Sequence, residues 1–240
     1  MNMRVPYGFD VNESCQSCKR RIGAFFCQLP PAAMKDFEAS KSSVAYPAGA
    51  VLFLEKQEPR GVFLLCAGEV KLSISSSEGK TLILRIAKPG EILGLMPTLT
   101  GTPYEGTAEA LHPCQVAFVH RGDFLCFVAK HPETYQNVVK ELSSCYQTAC
   151  EQLRTLGLTS SANEKLARLL LDWSARGTET KQGTQIKFSV THEEIAEFIG
   201  TTRETVTRTL SEFKNRRLVA QQGSTLVIPN RAALESYASA

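Results

Sequence analysis

The rhythm of apolar and polar positions changes along the chain. Between residues 44 and 120, apolar residues come in short runs cut by Gly49, Gly61, Gly68, Gly79, Gly90, Gly94 and Gly101. Val70-Lys71-Leu72-Ser73-Ile74-Ser75 alternates with period two. Ser77-Glu78-Gly79-Lys80 then reads as a hairpin loop leading into Thr81-Leu82-Ile83-Leu84-Arg85-Ile86. Short strands at even spacing predict a β-roll or barrel. A short helix over Ala32 to Ser40 precedes it.

Past Pro132 the period becomes helical. Tyr135, Val139, Leu142, Tyr146, Ala149, Leu153 and Leu156 recur at alternating steps of four and three. Such a stripe asks for a partner helix. Val138 and Cys145 supply a second apolar face for packing on the helix's own domain, which leaves the stripe for another subunit. Gly157 is the expected stop.

The remaining residues are helix-rich. Ser161 with Glu164 is a capping-box pattern opening a helix to Arg176, with Leu166, Leu169, Leu170 and Trp173 facing inward. Gly177 to Gln185 reads as a polar connection. Thr191-His192-Glu193-Glu194 is a second capping box, starting a helix broken at Gly200, and Thr202 caps another helix running to Phe213. Helix, glycine-bearing turn and helix form a helix-turn-helix. Val206, Leu210 and Phe213 are its buried stripe, and Arg203, Glu204, Thr207 and Arg208 share the opposite face. Arginine can grip guanine O6 and N7 in a fork, and glutamate can accept from cytosine N4. The candidate DNA-binding set is therefore Thr191, Thr202, Arg203, Glu204, Thr207 and Arg208. Leu218 to Ile228 reads as a small hairpin, a wing.

Composition narrows the picture. The chain has 240 residues, 43% of them hydrophobic and 21% charged, which excludes global disorder. Net charge is 27 − 24 = +3, so nucleic-acid binding must rest on a local patch. Residues 203 to 217 hold five basic and two acidic residues, a local +3. No apolar run approaches the roughly 18 residues of a membrane span, and the first fourteen residues lack a secretory apolar segment. The expectation is a soluble, cytoplasmic protein. No nucleophile–base pair or phosphate loop is evident, so none of these patterns supports an enzyme.

Eight cysteines are then unusual, since a reducing compartment disfavours a disulfide framework. Cys15, Cys18 and Cys27 crowd one end, as a metal or redox site would. Cys66 and Cys126 lie in apolar runs and read as core. Cys145 and Cys150, five apart on a helix, do not share a face.

Four segments carry a family resemblance: Pro47-x-Gly49-x-x-Leu52-Phe53, Leu65-x-x-Gly68-x-Val70-Lys71-Leu72-Ser73, Pro89-Gly90-Glu91-Ile92-Leu93-Gly94, and Thr202-Arg203-Glu204-Thr205-Val206-x-Arg208. Over essentially its whole length the chain resembles the CRP/FNR-family transcription regulators. The resemblance implies an α+β protein: an N-terminal β-roll sensor domain like the cyclic-nucleotide-binding domains, a long dimerisation helix and a C-terminal winged helix-turn-helix. The expected divisions are a cysteine-rich segment 1–30, a roll 31–132, a dimerisation helix 133–158 and a DNA-binding domain 159–240. The resemblance implies a homodimer on palindromic DNA, RNA polymerase as a partner, and half-site reading by Arg203, Glu204 and Arg208. Arg203 is the CRP-like choice, which favours a TGTGA-like half-site.

The same resemblance bears on the signal. CRP-type members hold cyclic AMP with a Gly-Glu-Leu and a later Arg-Ser; here those stretches read Gly94-Leu95-Met96 and Glu105-Gly106. A carboxylate at that point repels a phosphate. Cys15-x-x-Cys18-x8-Cys27 with Cys114 resembles the FNR-like set of three N-terminal cysteines and one internal cysteine, which ligates an oxygen-labile [4Fe-4S] cluster, with Cys66 open as the alternative internal ligand. The Lys19-Arg20-Arg21 run would offset the cluster's negative charge. An oxygen or nitric oxide sensor is implied. A structural zinc site on the same four thiolates and a Cys15–Cys18 thiol switch remain open alternatives. In FNR an acidic residue in the helix stripe holds monomers apart; Ala149 stands at that position here, which leaves the stripe uncharged.

Overall fold

The computed structural model describes residues 14–16, 18, 25–158, 161–175, 177–188 and 190–238. Lys19-Arg20-Arg21 and Arg176 lie outside these. The chain divides into two compact units, Met1–Thr148 and Ala149–Ala240.

In the first unit a 3-10 turn, Phe25–Cys27, leads to helix α1 (Pro31–Ser40). Eight strands follow: β1 (Lys41–Tyr46), β2 (Val51–Phe53), β3 (Gly61–Ala67), β4 (Val70–Ser75), β5 (Thr81–Ala87), β6 (Ile92–Leu93), β7 (Thr107–Ala110) and β8 (Cys114–His120). Helix α2 (Leu95–Thr100) interrupts them, and α3 (Arg121–Lys130) closes the roll. Two antiparallel four-stranded sheets result, with strand orders β1-β8-β3-β6 and β2-β7-β4-β5.

Strand β3 is buried on both faces, so period two sorts its side chains between two cores. Phe63 and Leu65 join Phe53, Tyr104, Cys114, Val116 and Phe118 inside the roll. Tyr104 stacks on Phe53 at 4.0 Å, and its buried hydroxyl donates to Gly61 O at 2.9 Å. Val62 and Leu64 face the other way and join Ala117, Val119 and residues of α1 and α3. There Phe26, 1% exposed, packs its ring against Phe37 and Phe124. Burying a side chain of that size is worth about 1.5–3 kcal/mol, enough to pin the turn that carries Cys27.

Helix α4 (Tyr135–Leu158) passes from the first unit into the second and continues one residue beyond Gly157, the expected stop. The second unit then has α5 (Ala162–Ser174), β9 (Thr178–Thr180), β10 (Gly183–Lys187), α6 (His192–Ile199), α7 (Arg203–Asn215), β11 (Ala220–Gln222), β12 (Thr225–Ile228) and α8 (Arg231–Ala238). Its sheet runs β11-β12-β10-β9. The hairpin expected near residue 220 is β11–β12. The stretch read as a polar connection is strand instead: Thr184 and Ile186 point inward and β10 pairs with β12. Among the described residues no helix is long and apolar enough to cross a membrane.

Candidate functional site

Local chemistry builds the two helices of the second unit. The Thr191 hydroxyl accepts from Glu194 N, and the Glu194 carboxylate accepts from Thr191 N, so the first turn of α6 is satisfied reciprocally. Gly200 ends it in the left-handed region, φ 62°, which a side chain rarely tolerates. Thr202 caps α7 by accepting from Thr205 N. At Ser161 only half of the expected box forms: its hydroxyl accepts from Glu164 N, while the Glu164 carboxylate pairs with Arg168 at 3.1 Å.

Val206, Leu210 and Phe213 bury one face of α7, and Thr209 joins them by donating to Asn163 Oδ1 on α5. Arg203, Glu204, Thr207 and Arg208 are exposed together on the other face. Glu204 lies in the first turn, where its own backbone N–H and then the Thr202 hydroxyl hold its carboxyl below the ordinary range. It therefore stays an ionised acceptor, the form that can take a base amino group. Periodicity alone did not mark His192. Its Nδ1 lies 2.8 Å from Thr207 Oγ1, whose hydroxyl donates to Arg203 O. Since that hydroxyl proton is committed, Nδ1 is assigned as the donor. Burial, then Lys214 and Arg203, lower the His192 pKa and keep the ring neutral. The signal for it was its place one residue after the Thr191 cap.

The cysteines divide between the two cores. Cys27 and Cys15 pack against the cluster formed by Phe26, Phe37, Val62, Leu64 and Ala117, and Cys15 N donates to Glu38 Oε1 on α1 at 3.1 Å. Cys66, in phase with Val62 and Leu64, packs against the same cluster. Burial pushes its thiol up to about 12; the thiols of Cys15 and Cys27 push the same way and the Lys41 ammonium opposes them. Cys18 is half-buried. Cys114 is fully buried in the other core, in phase with Val116 and Phe118. Gly68, at φ 86°, crosses directly over it: a Cβ there would stand 2.6 Å from Cys114 Cβ. The structure thus separates Cys114 from Cys15 and Cys27, because a pleated strand sends alternate side chains to opposite faces. Among the described residues no three His, Cys, Asp or Glu side chains close around one point as a single metal ion needs. Cys126, expected in the core, is exposed on α3, whose inward positions are Phe124, Phe127 and Val128.

On α4, Val138 is buried and Cys145 half-buried, the second face the sequence shows. The apolar stripe stands outward at Tyr135, Val139 (60% exposed), Tyr146 (72%), Ala149 and Leu153 (70%). Leu142 and Leu156 are half-buried within their own units, Leu142 against the α1–α3 core. A charged residue is buried on this helix too: Glu141 accepts from Ile92 N on β6, and burial raises its pKa.

Against known proteins, a model of the Crp-like helix-turn-helix domain matches residues 164–237, and one of the cyclic nucleotide-binding domain matches residues 43–131. The chain belongs to the CRP/FNR family of transcription regulators. It is 29% identical over 203 residues to the transcriptional activatory protein AadR of Rhodopseudomonas palustris, covering 84% of this chain and 83% of that one. It is 26% identical to the nitrogen fixation regulation protein FixK of Bradyrhizobium diazoefficiens, covering 94% of each. Among solved structures, FixK2 from Bradyrhizobium japonicum superposes with a TM-score of 0.74 at 21% identity, covering 83% of this chain and 98% of that one. The relatives are regulators rather than enzymes, and the α+β order of roll, long helix and helix-turn-helix is theirs as well.

As a CRP/FNR regulator the chain binds DNA through its helix-turn-helix. Its roll carries Glu105, whose carboxyl is partly desolvated and so held above the ordinary range. Gly106 beside it lies close to β4, where a Cβ would stand 2.8 Å from Ser73 O.

Proposed function

We propose that this regulator is a homodimer that senses oxygen, or nitric oxide, through a [4Fe-4S] cluster held by Cys15, Cys18, Cys27 and one internal cysteine. The supporting observation is the gathering of Cys15 and Cys27 with an internal thiol, Cys66, on one patch of core. Soft thiolates are the donors such a cluster takes, and a Cys-x-x-Cys turn supplies adjacent corners. A [4Fe-4S] cluster would take one thiolate on each of its four irons. When bound, the cluster supplies reactivity toward oxygen or nitric oxide. The chain's part is to hold the thiols of Cys15, Cys27 and Cys66 against a shared core.

The DNA side of the proposal follows from α7. Arg203 and Arg208 grip guanines, Glu204 accepts from a cytosine, and Thr191, Thr202 and Thr207 flank them on a TGTGA-like palindrome. The exposed stripe of α4 pairs with the same stripe of a second copy. The protein acts in the cytoplasm and engages RNA polymerase. A thiol-redox or structural-zinc regulator of the same fold is the second reading, since it draws on the same thiols. A cyclic-nucleotide-responsive regulator is less well supported, because Glu105 stands where a phosphate partner would be needed.

Purification under nitrogen with iron, sulfide and zinc quantified tests the sensor reading. Stoichiometric iron and acid-labile sulfide support it. Colourless protein carrying zinc, or carrying no metal, overturns it.

A further inference from the structure

We propose that the fourth thiolate of the cluster is Cys66 on β3, not Cys114 on β8. This rests on the cluster reading above and deepens it. In sheet order β8 lies beside β3, and both strands are buried on both faces. On β3 the odd-numbered Phe63 and Leu65 enter the roll interior, and the even-numbered Val62 and Leu64 face α1 and α3. On β8 the phase is reversed: Cys114, Val116 and Phe118 enter the roll, and Ala117 and Val119 face the helices. A thiol reaches the helix side only from an even position of β3 or an odd one of β8.

Of the N-terminal cysteines, Cys15 and Cys27 lie on that helix side. Cys27 follows Phe26 into the α1–α3 core, and Cys15 is tied through its backbone to Glu38 of α1. For Cys114 to join them it would have to cross its own sheet, moving every neighbour in register to the wrong face. Cys66 needs no such change. It sits where the β3–β8 register shifts, between Leu65 and Ala67, and its thiol rests against Leu64 O at 3.6 Å. A bulge bends the strand and frees a side chain from strict pairing, which suits a ligand.

The consequence is mechanical as well as chemical. A ligand on β3 would tie the N-terminal segment to an inner strand of the sheet, the one that pairs with β6, and Glu141 of α4 bonds the β6 backbone.

The test measures iron and acid-labile sulfide in protein isolated without oxygen, for the natural chain, Cys66→Ser and Cys114→Ser. The natural chain should hold about four irons. Cys66→Ser should fall below about a quarter of that, and Cys114→Ser should keep nearly all. The reverse order overturns the assignment while leaving the cluster reading intact; a natural chain without iron overturns both. Since Cys66→Ser could misfold, a second measurement uses the natural chain alone. After chelation of the metal and treatment with diamide, a thiol oxidant, its disulfides are mapped by peptide mass spectrometry. Cys66 joined to Cys15, Cys18 or Cys27 is expected. A map without Cys66, or with Cys114 joined to that group, overturns the proposal.

Discussion

His192 and Thr207 sit 2.8 Å apart, nitrogen to hydroxyl, and so tie the first turn of α6 to the reading face of α7. The Thr207 hydroxyl passes on to Arg203 O, and the chain of bonds fixes the start of the recognition helix relative to its supporting helix. His192→Ala removes one such bond, worth about 0.5–1.5 kcal/mol. Affinity for the specific site should fall by roughly two- to tenfold, with far-ultraviolet circular dichroism unchanged. Fluorescence anisotropy on specific and scrambled duplexes reads this. An equal loss on both would make His192 a phosphate contact instead of a positioning residue.

Arg208 carries a sharper expectation. It is exposed on the face that Val206, Leu210 and Phe213 leave free. Arg208→Ala should cost about 1–3 kcal/mol on the specific site and relax preference at a single guanine position. Binding to a set of singly substituted duplexes checks it, since a uniform loss across all of them would contradict base reading.

Glu141 gives a pH-dependent expectation. Burial holds its carboxyl above the ordinary value of 4.5, the bond from Ile92 N only partly opposing it. An acid with a raised folded-state pKa binds more protons when folded. Its contribution is therefore full below 4.5 and is lost as pH rises through the raised value. Glu141→Gln keeps an acceptor for Ile92 N and cannot ionise. Its melting temperature should exceed the natural chain's at neutral pH. In acid, below pH 4.5, the difference should close. Scanning calorimetry at the two pH values decides it, and a gap that widens in acid would contradict the argument.

The α4 stripe predicts an assembly that does not depend on the cluster. Tyr146, Ala149 and Leu153 are exposed and uncharged, so nothing on that face repels a second copy. The metal-free protein should sediment as a dimer at low micromolar concentration. Ala149→Asp sets two carboxylates against each other in that seam and should split it. A metal-free monomer would restore control by assembly, and a dimeric Ala149→Asp would mean that a different face of α4 makes the contact.

What the sequence made legible was local. The Thr191 and Thr202 caps, the Gly200 turn and the Val206–Leu210–Phe213 stripe each depend on residues within one or two turns of each other, and all are where the pattern put them. Strands β9 and β10 were hidden because β10 is ordered by pairing with β12, some forty residues on, and β9 by pairing with β10. Leu142 and Leu156 sit on the periodic stripe yet are half-buried, since a helix crossing between two units meets a different neighbour at each end. The alternation that sends Cys66 and Cys114 to opposite faces was present in Val62-x-Leu64-x-Cys66 and Cys114-x-Val116-x-Phe118. Which of those faces the N-terminal cysteines cover is a tertiary fact, set by Phe26 and α1.

A cluster that serves as the sensor must act on DNA binding. The most direct measurement follows visible absorbance and anisotropy on a palindromic duplex in one anaerobic sample as air is admitted. With the cluster as sensor, affinity for the duplex changes in step with the loss of absorbance. Affinity that stays constant while the colour bleaches would contradict it.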